Sequence, residues 1–193
     1  MKVDKKAFAL MRKHMAAYDA MREQIIRLSR DILALSKKTI YSLHRNEAKK
    51  AKKQLAEAQK TIARLEKLIK KDLHLATTGA YLEALEEYVE AACYLSLMAK
   101  KALPHPKQLR VGIDTYLIGL CDLVGELVRK AINSAIRGDN RTALEIRDFV
   151  SQLHQELGLF DFRNSPVRRK FDSIKYGLEK LEDLALQLKM KKK

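Results

Sequence analysis

Two groups of oxygen-bearing side chains recur at helical spacing in this chain. Glu83, Glu87, Glu90 and Tyr94 fall at i, i+4, i+7 and i+11, and Asp122, Glu126, Arg129 and Asn133 repeat the same intervals. On an α-helix such positions form one stripe. Carboxylates with no cysteine or histidine beside them suit a hard cation, Mg2+ or Mn2+. The residues around the second stripe are apolar: Leu117, Ile118, Leu120, Leu123, Val124, Leu127, Val128 and Ile132. Its acids therefore lie on a largely buried helix, where a carboxylate must be ion-paired or metal-bound. Spacing alone leaves two arrangements open. The stripes can face each other across a helix interface, with Gly119 and Gly125 permitting close approach, and share a cation. Alternatively, the acids pair with Arg129, Lys130 or bases on the first helix. A di-iron bundle site requires Glu-x-x-His pairs, and none of the five histidines has a glutamate three residues before it.

Charge distribution bears on the choice. The chain carries 39 Lys and Arg against 24 Asp and Glu, a net +15. Such an excess favours polyanionic partners, nucleic acid or an anionic membrane surface. Twelve basic residues against three acids crowd positions 37–71, and Arg163, Arg168, Arg169, Lys170 and Lys175 form a second cluster. Residues 72–99 contain no Lys or Arg, yet hold Asp72, Glu83, Glu86, Glu87 and Glu90. Neighbouring unneutralised glutamates on one helix repel, and a bound cation would remove that cost. The basic runs read either as a solvated face or as a phosphate-binding surface. Tyr41, Phe160 and Phe162 are the aromatics available for stacking on bases, although each reads first as a core residue.

The elements that must position these groups are helical. Gly and Pro number only 7 and 3, and no alternating apolar pattern marks a strand. A first helix is expected from about Asp4 to Arg45, with Phe8, Met11, Met15 and Tyr18 on one face and Ile25, Leu28, Ile32 and Leu35 continuing it. Asn46 reads as a break and N-cap. A second helix to about Leu73 carries Ala51, Leu55, Ala58, Ile62, Leu65 and Ile69 as a coiled-coil-like seam. A third spans about Ala80 to Lys101, before a rigid turn at residues 103–106. A fourth runs from about Asp114 to Gly138, whose freedom suits a left-handed C-cap. Thr142 and Glu145 have capping-box spacing for a fifth helix ending near Gly158. Ser165-Pro166 reads as an N-cap with proline at the first helical position. The expected whole is one helical domain over residues 1–190 with a basic tail, 191–193. The apolar seam suggests faces buried against other subunits. Cys93 and Cys121 read as reduced core thiols. No apolar run reaches the ~20 residues that span a bilayer. The first residues lack a signal-peptide core, so a cytoplasmic location is expected, with no membrane partner.

Several of these segments resemble one family. Glu86-Glu87-Tyr88-Val89-Glu90-Ala91 is similar to the EYVEA motif of the translin/TRAX family. Gly119 to Arg129, with Asn133-Ser134 and Gly138-Asp139, resembles the family's GVADLTGELMR…NS…GD segment. Leu28 to Ile32, Ser36 to Ile40 and Leu43-His44-Arg45 are similar to the first helix of TRAX-type members. Residues 168–176, Arg168 to Tyr176, look more like the RRKFDGLKYD stretch of translin-type members. The resemblance covers nearly the whole chain and its motifs keep their order.

The resemblance implies a seven-helix α-superhelical subunit of translin type. It also implies closed, barrel-like oligomers, a hexamer or octamer, that enclose single-stranded RNA or DNA. TRAX-type members are Mg2+-dependent endoribonucleases using clustered acids. Carried over by motif, those are Glu87, Glu90, Asp122 and Glu126, as both metal ligands and catalytic residues. Translin-type members lack the acid that Asp122 supplies. The mixture of TRAX-like motifs with a translin-like C-terminal segment implies a homo-oligomer. The expected activity is metal-assisted hydrolysis of single-stranded RNA, with Mg2+ or its substitute Mn2+. Arg30, Lys37, Lys38, Arg45 and Arg129 are the expected nucleic-acid contacts. The competing expectation is a non-catalytic single-strand RNA- and DNA-binding protein of translin type.

Overall fold

The computed structural model describes residues 2–190, so the expected tail lies outside the described residues. Helix α1 (Lys5–His44) opens on Asp4, whose carboxylate accepts from the backbone N–H of Lys6 and Ala7 at 2.9 and 3.1 Å. At about 1.5 Å per residue it is roughly 60 Å long. Its buried stripe is Ile25, Ser29, Ile32, Ser36, Thr39, Ile40 and Leu43. It keeps Ile25 and Ile32 of the expected face, with Leu28 and Leu35 packed at its margin, and adds small hydroxyl residues beside them. Thr39 satisfies its hydroxyl on the Leu35 carbonyl at 2.9 Å, and Ser42 donates to Gln54 at 2.9 Å. The first half of α1 buries little: Phe8, Met11 and Met15 are 51%, 57% and 67% exposed.

Asn46 breaks α1 in the left-handed region, at φ 61°. It is not the N-cap of α2 (Ala48–Ile69), as expected. Glu47 holds that place without a capping hydrogen bond, its carboxylate being drawn to Arg45 and Lys50. The six expected seam residues of α2 are its six buried ones. They pack within the chain, chiefly against α1, rather than against another subunit.

A 3-10 turn at Leu73–Thr77, capped by Asp72, leads to α3 (Gly79–Met98). The 103–106 turn ends in a one-turn helix that spacing did not reveal, α4 (Pro106–Leu109). It is held by reciprocal bonds of His105 and Gln108 and closed by Arg110 at φ 59°. Helix α5 (Ile113–Ile136) ends before Gly138, whose φ of 81° fits the expected left-handed terminus. Asp139, not Thr142, caps α6 (Asn140–Gly158), accepting from the Thr142 backbone at 3.1 Å. Glu145 is taken by Arg141 at 2.7 Å instead of closing a capping box. Ser165 does cap α7 (Pro166–Met190), accepting from the Arg168 backbone at 3.3 Å.

The described residues thus form seven helices and a single 3-10 turn, with no strand. Helix α3 packs between α1 and α5, and α5 also carries α6 and α7. Both central helices are apolar around most of their circumference, so both are largely buried. Tyr88, Val89, Tyr94, Leu123 and Leu127 fill the centre. Each such side chain contributes roughly 1.5–3 kcal/mol on burial. The closest backbone approach lies at Gly119: an added Cβ would stand 2.7 Å from the Glu86 carbonyl and from Val89 Cβ. Gly125, expected to do the same, has nothing within 4 Å. The Gly119 crossing sets α3 against α5 closely enough for Glu90 to feel the charges of Asp122 and Glu126.

Candidate metal centre

Glu90 sits at the middle of the crossing and is buried. Among the described residues no ion pair or hydrogen bond reaches its carboxylate. Burial pushes its acid up to about 8, and the charges of Glu87, Asp122 and Glu126 push the same way, against Lys170. Those couplings reach across the two helices at Glu90. Glu87 is raised too, by burial first, with Lys37 opposing and Asp122 and Glu126 reinforcing. Glu86 is raised by burial and by Asp122.

The acids also meet basic side chains from three elements. Glu126 contacts His44 Nε2 at the end of α1, and Arg129 stands 3.8 Å from the same carboxylate oxygen. The His44 contact holds the Glu126 carboxyl below its usual value. Tyr94 and His44 Nδ1 are 3.3 Å apart, which fixes the imidazole between α3 and α5. Burial, and then the Glu126 charge, raise the Tyr94 phenol. Lys170 of α7 donates to both oxygens of Asp122, at 2.7 and 3.0 Å. Lys37 lies 3.9 Å from Glu87.

Expected pairing with first-helix bases is therefore present at Glu87 and Glu126. Lys130 takes no part; its Nζ donates to Asn46 at 3.3 Å. His44 and Lys170 were missed as partners of the acids. His44 lies 82 residues from Glu126, and Lys170 lies 48 from Asp122. No local spacing links such positions.

The donor set suits a hard divalent cation by chemistry: four carboxylates, one of them buried with its charge opposed by the other three. Among the described residues, however, no group of three or more His, Cys, Asp or Glu is arranged to hold a metal ion. Basic side chains take up the carboxylates instead. Cys93 and Cys121 are free and buried, and burial raises each thiol to about 12, so neither offers a thiolate ligand.

The other expected contacts lie along α1. Arg30, Lys38 and Arg45 are exposed, and Arg45 pairs with Glu47 at 3.0 Å. Lys37 points instead to the acidic crossing. Tyr41 and Phe160 are exposed rather than core, and Phe160 stacks on Phe162 with centroids 5.4 Å apart. No helix among the described residues is long and apolar enough to cross a membrane.

The Translin family model matches residues 20–192, which include both acidic stripes and the whole of α7. The chain belongs to the Translin family. It is 29% identical over 232 residues to Translin-associated protein X of Pongo abelii, covering 96% of this chain and 78% of that protein. It is 29% identical over 117 residues to Translin of Gallus gallus, covering 61% of this chain and 50% of that protein. The fold is similar to that of apo-NeC3PO, with a TM-score of 0.86 at 24% identity over 97% of this chain and 99% of that one. It is also similar to AfC3PO in its duplex RNA complex, with a TM-score of 0.82 at 22% identity over 95% and 97% of the two chains.

Proposed function

We propose that this protein is a metal-dependent endoribonuclease that binds and cleaves single-stranded RNA, and that it also binds single-stranded DNA. The observation that carries the reading is Glu90: a buried carboxylate without a bonded cation, faced by three more acids. With its acid pushed up to about 8, Glu90 ionises near neutral pH only at a cost, which a multivalent cation at the crossing would offset. Membership in the Translin family and fold likeness to a protein solved with RNA support a nucleic-acid partner.

Glu87, Glu90, Asp122 and Glu126 would hold Mg2+, or Mn2+ in its place. When bound, that ion supplies an activated water and neutralises charge developing on the scissile phosphate. Arg129, exposed beside Glu126, contacts a phosphate oxygen. His44, fixed by Tyr94, orients the Glu126 carboxylate toward the crossing. Arg30, Lys38 and Arg45 hold flanking phosphates without reading sequence. Lys37 serves the strand next to Glu87.

We propose, further, that copies of the chain associate into a closed homo-oligomer, a hexamer or octamer. The exposed apolar stripe Phe8, Met11 and Met15 supports this, because large unpartnered apolar patches mark association surfaces.

The deciding experiment is cleavage of labelled single-stranded RNA by the purified protein. Mg2+-dependent cutting by wild type, lowered at least ~100-fold in Glu126→Ala, is expected. Tight binding without cutting under any divalent ion would leave the non-catalytic binder, a reading favoured by the ion pairs that already occupy three of the acids.

A further inference from the structure

Lys170 reaches Asp122 from the far end of the chain. It stands on the second turn of α7, and its ammonium donates to both carboxylate oxygens. Tight packing puts it there: at Gly177, two turns on, an added Cβ would stand 2.8 Å from Val124 Cγ1 of α5. The charge of Lys170 is also felt by Glu86 and Glu90. Both partners keep contact with water, the Lys170 and Asp122 side chains being 46% and 29% exposed. A pair of that exposure forms and breaks readily. Beside it on α7, Arg169 is exposed, and Arg168, also exposed, pairs with Asp172 at 2.9 Å.

An ammonium on both oxygens of Asp122 and a divalent cation compete for one place. We propose that Lys170 is a built-in, displaceable counter-cation that makes metal uptake depend on arrival of the strand. This rests on the reading of the four acids as a metal site. In the absence of RNA, Lys170 keeps Asp122 neutralised. A phosphate of an incoming strand offers the ammonium another anionic oxygen. Lys170 changes partner, Asp122 is released, and the cation is admitted beside Glu90. Metal and strand thus load together, which keeps an unladen enzyme from holding an active centre.

The test is calorimetric titration of Mn2+ into the full chain as wild type, Lys170→Gln and Lys170→Arg. Each is measured with and without a short 2′-O-methyl oligonucleotide, the oligonucleotide's own Mn2+ uptake being subtracted. Without the oligonucleotide, Lys170→Gln should bind Mn2+ about threefold or more tightly than wild type. The oligonucleotide should tighten Mn2+ binding to wild type and to Lys170→Arg, and leave Lys170→Gln unchanged. Equal Mn2+ affinity in wild type and Lys170→Gln overturns the proposal while leaving the metal reading intact. Weaker binding in Lys170→Gln, with its helical circular dichroism unchanged, also overturns it, by making Lys170 a mere support for Asp122. If no folded variant binds Mn2+ at all, the metal reading falls and the proposal with it.

Discussion

At the scale of single residues, Glu90 makes the clearest commitment. Its folded acid titrates near 8 against an ordinary 4.5, mainly through burial. The folded state therefore holds a proton that the unfolded chain has released above about pH 4.5. The associated stability is full below that point and is lost as pH rises toward 8. Glu90→Gln removes the titration. In metal-free protein it should raise the melting temperature at pH 8 by a few degrees, about 1–3 kcal/mol, and little at pH 4.5. Equal melting of wild type and variant at pH 8 would show that the carboxylate is not held at a cost. The four acids were legible as two helical stripes, and the family motifs tied the stripes together. Tyr94 was legible as a member of the α3 stripe; His44 and Lys170 were not legible as partners of the acids. Their types and local spacings carry no signal, and only the packing of α1 and α7 onto the α3–α5 crossing brings them to the acids.

Among the elements, the α3–α5 crossing positions everything else. Gly119→Ala would put a methyl 2.7 Å from the Glu86 backbone. Helix backbone cannot yield as a flexible side chain does, so a loss of about 1–3 kcal/mol in chemical unfolding is expected. Gly125→Ala meets nothing and should be neutral or gain up to about 1 kcal/mol from helix propensity. The same loss for both would mean that the crossing is not set at Gly119. The buried seam of α2 was legible residue by residue, because a narrow 3-4 seam has one solution, but the helix ends at Ile69 and not near Leu73. The buried face of α1 was legible from Ile25 to Leu35, but not its hydroxyl residues, and Phe8, Met11 and Met15 are exposed. Ser29, Ser36, Thr39 and Ser42 look polar in sequence, yet serve as small residues in a close interface. Caps were hardest: Asn46, Thr142 and Glu145 had suitable types, but ion pairs and backbone geometry gave the capping roles to neighbours.

For the whole molecule, charge and unpartnered apolar surface are the governing quantities. With net +15 and exposed bases along α1 and α7, single-strand affinity should fall steeply with salt. A log–log slope of about −0.7 per phosphate contacted is expected. The charge-removing pair Arg30→Gln and Lys38→Gln should make that slope shallower by one to two contacts. Salt-independent binding would exclude a phosphate-tracking surface. The stripe Phe8, Met11 and Met15 should carry self-association. Met11→Asp with Met15→Asp should lower the assembly mass in light scattering while leaving helical content unchanged. The α2 seam, which suggested association, is used inside the chain, and the exposed apolar stripe lies on α1 instead. The central claim is that Glu87, Glu90, Asp122 and Glu126 hold one divalent centre, and anomalous diffraction from crystals grown with Mn2+ and an uncleavable strand tests it most directly. A peak about 2.0–2.4 Å from oxygens of at least three of these carboxylates is predicted, with Lys170 turned away from Asp122. Lys170 still on Asp122, with no peak at the crossing under saturating Mn2+, would contradict it.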